Sequence, residues 1–62
     1  MKRVLSIECS TSMYDLKFIV EKHAENVYKT YELTGKRKLL KDTANNFADA
    51  FEYAVSEASF YI

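Results

Sequence analysis

YDLKFIVEKHAENVYKTYEL, residues 14–33, is the stretch that decides the fold of this 62-residue chain. It admits two readings. In the first, Tyr14, Leu16, Phe18 and Val20 alternate with Asp15, Lys17 and Glu21, and Ile19 is the one apolar residue out of step. A period of two is the signature of a half-buried strand. His23-Ala24-Glu25-Asn26 then forms a turn, and 27–33 supplies the β-formers Val27, Tyr28, Thr30 and Tyr31.

In the second reading, Leu16, Ile19, Val20, His23, Ala24, Val27, Tyr28 and Tyr31 recur at helical spacing. Glu25 and Lys29 then sit one turn apart in the favourable order, and Gly35 is the C-cap. The protein becomes an N-terminal strand plus a helical hairpin. Propensity decides between the two. Phe18-Ile19-Val20, Val27-Tyr28 and Thr30-Tyr31 lose side-chain freedom in a helix and pack well on a pleated surface. The stretch is read as strands.

The neighbouring segments follow from that choice. Residues 4–9 carry Val4, Leu5 and Ile7 and end at the polar break Ser10-Thr11-Ser12, so they read as a first strand. Thr34-Gly35 is the best turn signal, because glycine takes positive φ without steric cost. Residues 36–41 become a short further strand. Asp42 or Thr43 is expected to cap a helix whose buried face is Ala44, Phe47, Ala48, Phe51, Ala54, Val55 and Ala58. Phe47 and Phe51 are expected to fill the space between helix and sheet. Residues 59–62 either continue the helix or peel away. The expected fold is α+β: one domain over 1–62, an antiparallel meander of three or four strands packed on one C-terminal amphipathic helix.

Composition agrees with a folded domain. The chain is 48% hydrophobic and 15% aromatic, rich enough for a core despite its length. The single cysteine, Cys9, excludes an intrachain disulfide. Cys9 and His23 are too few for a structural zinc site, so no metal or cofactor is expected. The segment after Met1-Lys2-Arg3 lacks the apolar run of a signal peptide. No stretch reaches the ~18 apolar residues of a membrane span. The expectation is a complete cytoplasmic chain.

Net charge is zero but segregated. Residues 1–41 hold nine bases against five acids, a balance of +4; residues 42–62 hold four acids and no base. Such asymmetry orients a protein toward charged partners, or draws its own halves together.

No catalytic constellation emerges. A Cys9–His23 pair lacks an orienting third group, and a buried free cysteine is commonly a small apolar residue. Asp49 and Glu52 share a helix face, but acid–base work needs a pocket. Thr34-Gly35-Lys36 lacks the other glycine of a phosphate loop. No enzyme is expected.

Two binding surfaces stand out. On the helix, Asp49, Glu52, Tyr53 and Ser56 form a stripe that Phe60 continues. An aromatic among acids suits a basic groove on a larger protein. The first expectation is therefore a small protein-binding module that inhibits or modulates a larger partner, of the size of phage-encoded inhibitors of host enzymes. The alternative is nucleic-acid binding by Lys36, Arg37, Lys38 and Lys41 beside Tyr31. A third expectation is self-association, as a homodimer, through a sheet edge or the helix.

Overall fold

The computed structural model describes residues 1–9 and 15–61. Four strands run in chain order: β1 (Lys2–Cys9), β2 (Leu16–Ala24), β3 (Val27–Thr34) and β4 (Arg37–Ala44). Each pairs antiparallel with the next, giving a sheet of order β1-β2-β3-β4. One helix, α1 (Phe47–Ser59), crosses one face of this sheet. The α+β meander is thus the fold, and the helical hairpin is not. Tyr14, which opens the alternating pattern, lies outside the described residues.

The alternation in β2 has the expected meaning. Leu16, Phe18 and Val20 point toward α1 and are buried there with Cys9, Ala50, Ala54 and Ala58. The register carries this face across the sheet. Leu5, Ile7 and Cys9 oppose Val20, Phe18 and Leu16 on one side. Thr30, Glu32 and Thr34 oppose Val20, Phe18 and Leu16 on the other. Directly opposed residues share a face, so the helix side and the open side of the sheet can be assigned residue by residue.

Three bulges modulate this order, at Val4 in β1, between Lys22 and Ala24, and at Lys41 in β4. Each adds an unpaired residue and sharpens the local twist. The bulge at Lys41 keeps Asp42 opposite Thr30 and puts Leu40 opposite Tyr31. Gly35 sits at φ 59° in the β3–β4 turn, the conformation that made it the strongest turn signal.

The boundaries differ from the sequence reading most in β2 and β4; β1 also begins earlier, at Lys2. β2 continues through His23 and Ala24, leaving only Glu25 and Asn26 as the turn. β4 continues through Asp42 and Thr43 to Ala44, so neither residue caps the helix. The cap is Asn46, whose backbone is extended and whose Oδ1 accepts from the Asp49 amide at 2.9 Å. Asn46 Nδ2 in turn donates to Asp49 Oδ2 at 3.1 Å. Pairing of Thr43 with Lys29 in the sheet outweighs the capping preference of its hydroxyl.

The helix also packs by a different line from the expected one. Ala50, Ala54 and Ala58 are the buried residues of α1. Phe47, Phe51 and Val55 remain 39%, 44% and 42% exposed. Ala50 was absent from the expected face, and the buried arc is rotated by roughly 60° from it, at 100° per residue. The reason is separation. An alanine line lets the helix axis come close to Phe18 and Val20, whereas two phenylalanines in the interface would hold it away. The rings lie instead along the flank, Phe47 against Tyr28 at 6.0 Å and against Phe51 at 6.0 Å. At the far end Tyr61 contacts Phe18, with ring centroids 6.0 Å apart.

Candidate functional site

The outer surface of α1 follows from the position of its alanine line. One flank, carrying Tyr53 and Glu57, leans over β4. Glu57 Oε1 lies 3.9 Å from Lys41 Nζ, which is also 3.9 Å from Glu32 Oε1. The opposite flank, carrying Phe51 and Val55, therefore faces the β1 side. Between the flanks the helix presents Asp49, Glu52 and Ser56 outward, all exposed.

The five residues expected to bind a partner do not share one environment. Glu52 and Ser56 are outward as expected. Asp49 is outward too, but its carboxylate closes the reciprocal cap with Asn46. Tyr53 is half-buried and belongs to the core edge. Burial, then the neighbouring Glu57, Asp42 and Glu32 carboxylates, push its phenol above the ordinary value of 10. Phe60 follows the last helical residue as the C-cap and is 79% exposed. The exposed aromatic of the acidic stripe is Phe60 rather than Tyr53.

The five residues of the alternative surface also divide. Lys38 and Tyr31 come together on the open side of the sheet, with Lys38 Nζ 4.5 Å from the Tyr31 ring centroid. Lys36 and Arg37 are exposed at the adjoining turn. Lys41 stands apart from them, since its ammonium is held on the helix side by Glu32 and Glu57. The register adds cations that the sequence reading did not assign. Arg3 and Lys29 both oppose Glu21, and Lys17 precedes Ile19 on the same face.

Beneath these cations lies an arrangement that sequence reasoning missed. Glu21 is only 7% exposed although it is on the open face. Its Oε2 accepts from Lys38 Nζ at 2.9 Å, and its Oε1 lies 3.2 Å from His23 Nε2. The Tyr31 hydroxyl is 3.3 Å from the same imidazole nitrogen. Lys38 dominates the electrostatics and, with His23, outweighs burial to hold the carboxyl below its ordinary value of 4.5. Ile19, the residue out of step in the alternation, is fully buried beside Glu21. Period-two reasoning assigns both to solvent. The signal that pointed the other way was Ile19 itself, an isoleucine where a polar residue was due.

Cys9 and His23 are not a pair. Cys9 is buried on the helix side among Leu16, Phe18 and Ala58, and His23 is on the open side. Burial raises the Cys9 thiol pKa, which suits an apolar packing residue rather than a nucleophile. Among the described residues no cluster of three or more His, Cys, Asp or Glu could hold a metal ion, and no helix is long and apolar enough to cross a membrane. Comparison of the chain with protein-family models, with curated proteins and with solved structures returned no match.

Proposed function

We propose that this chain is a non-enzymatic protein-binding module that modulates a larger partner through the outward side of α1. The observation that carries the reading is Phe60, 79% exposed at the end of a stripe holding Asp49 and Glu52 and no base. An exposed aromatic beside unopposed acids costs hydration and contributes nothing to the core. It is suited to an apolar hollow rimmed by Lys or Arg, where a buried ring supplies affinity and the acids supply orientation. A cytoplasmic setting fits the unpaired Cys9. Phage-encoded inhibitors of host enzymes are one class of small protein that acts in this way.

The test is affinity capture with the wild-type chain, followed by titration of the captured partner against Phe60→Ala and Glu52→Lys. Each substitution weakens binding at least about tenfold, the loss expected for an interface anchor, while thermal stability stays unchanged. Equal binding by all three proteins refutes the assignment.

A second reading rests on the open side of the sheet. Arg3, Lys17, Lys29 and Lys38 share that face with Tyr31, with Lys36 and Arg37 at its rim. Cations around an aromatic on a sheet are a means of holding single-stranded nucleic acid. Glu21 and Glu8 offset part of this charge, and Lys38 already occupies the Tyr31 ring, which ranks this reading second. Binding to single-stranded DNA or RNA that falls steeply with salt would raise it to first.

A further inference from the structure

We propose that two copies of this chain associate through the outer edge of β1, in an antiparallel, two-fold register that sets Ser6 opposite Ser6 of the second copy. The two ends of the sheet are unlike. Both β1 and β4 are edge strands, and their outer backbone groups have no strand partner among the described residues. β4 is defended against pairing. It carries Arg37, Lys38 and Lys41 against a single acid, Asp42, and it is bulged at Lys41. A second β4 would bring these bases together around the bulge, although Lys38 and Lys41 are each held by acids of their own chain.

β4 also leaves Leu39 and Leu40 49% and 50% exposed, so apolarity alone does not separate the two edges; β1 differs in its register and in its charge. After the bulge at Val4 it is regular from Leu5 to Cys9, and Val4, Leu5 and Ile7 are only half-buried. Across the step from strand to helix, the β1-side flank of α1 adds the half-exposed Phe51 and Val55. Backbone groups awaiting a partner therefore lie beside a run of uncovered apolar side chains. A strand added there would satisfy the first and cover the second.

Charge names the strand that fits. With Ser6 opposite Ser6 of the second copy, Leu5 meets Ile7 of the second copy on the helix side. The Val4 bulge then brings Arg3 beside Glu8 of the second copy on the open side, and the two-fold axis repeats the pair. The edge is self-complementary in face, apolarity and sign, as an isologous contact requires. A β1-to-β4 contact would join unlike edges and grow an open chain of molecules instead of closing. The β1 contact leaves Asp49, Glu52, Ser56 and Phe60 outward, so it is independent of the partner-binding surface proposed above.

Sedimentation of the wild-type chain over a wide concentration range provides the first test. The mass rises from 7.2 kDa to twice that value and stops. Ser6→Cys under mild oxidation gives a covalent dimer, because directly opposed Cβ atoms in an antiparallel pair lie about 5 Å apart, within reach of a disulfide after small adjustment. Thr43→Cys on β4, equally exposed, does not. Phe51→Asp weakens association at least tenfold while the circular dichroism spectrum is retained. A mass fixed at the monomer at every concentration overturns the proposal. So does a mass that grows past the dimer, or cross-linking through position 43 in place of position 6.

Discussion

Lys38 Nζ lies 2.9 Å from Glu21 Oε2, although β3 separates their strands and seventeen positions separate them in the chain. The lysine reaches this carboxylate by passing over the Tyr31 ring of β3. One contact thus ties β4 to β2 across the strand between them. Because the carboxyl is held below its ordinary value of 4.5, the pair stabilises the fold fully above that value. The contribution disappears as pH falls through the depressed folded value. Glu21→Gln should flatten the acid limb of a stability–pH curve measured by urea unfolding. Lys38→Met should cost about 1–2 kcal/mol at neutral pH, discounted for the half-exposed ammonium. An acid limb of unchanged slope in Glu21→Gln would show that other carboxylates govern acid unfolding.

Tyr53 offers the complementary titration at high pH. Its phenol is raised above 10, chiefly by burial and then by Glu57, Asp42 and Glu32. The folded state therefore holds the phenolic proton more tightly than the unfolded chain. This contribution is complete below the ordinary value and is lost as pH rises through the raised one. Tyr53→Phe should reduce the alkaline loss of stability, and ultraviolet difference titration should show one fewer late-ionising tyrosine. If the last-ionising phenol persists in that variant, the environment assigned to Tyr53 is incorrect.

Helix packing gives an inversion of the usual size rule. Ala54 is fully buried, whereas Phe51 is 44% exposed. Enlarging the small residue should be worse than truncating the large one. Ala54→Leu forces the helix away from Val20 and should cost about 3 kcal/mol or more. Phe51→Ala should cost only about 1–2 kcal/mol, in proportion to the area it covers. Thermal unfolding of the two variants side by side would decide the order.

Thr30 is the opportunity for stabilisation. It is buried on the helix side opposite Val20, and its Oγ1 has no hydrogen-bond partner among the described residues. A buried hydroxyl left in that state costs about 1–3 kcal/mol. Thr30→Val retains the β-branched shape and removes the polar atom. It should raise the unfolding midpoint by about 4–8 °C for each kcal/mol regained in a domain of this size. A lowered midpoint would mean that the hydroxyl is in fact satisfied.

The meander, the turn at Gly35, the helix-facing set Leu16, Phe18 and Val20 and the C-terminal helix were all legible in the sequence, because each is written in local periodicity or in the conformational demand of one residue. Of the candidate surface, Glu52, Ser56 and Phe60 were legible for the same reason: helical spacing alone puts Glu52 and Ser56 on one side and Phe60 one turn further on. Which arc of α1 meets the sheet was not. Apolar residues cover so much of its circumference that only the closeness of approach to Phe18 and Val20 selects the line Ala50, Ala54 and Ala58. That choice moved Phe51 and Val55 to the surface and Tyr53 to the core edge. Beyond the out-of-step Ile19, nothing in the sequence marked Glu21 as buried, since its environment is assembled by Lys38 and Tyr31 from strands that come later in the chain. The sequence by itself determined which segments are strands and helix. Tertiary structure decided which of their side chains remain for a partner, because burial depends on what the neighbouring strands and the approaching helix bring to each position.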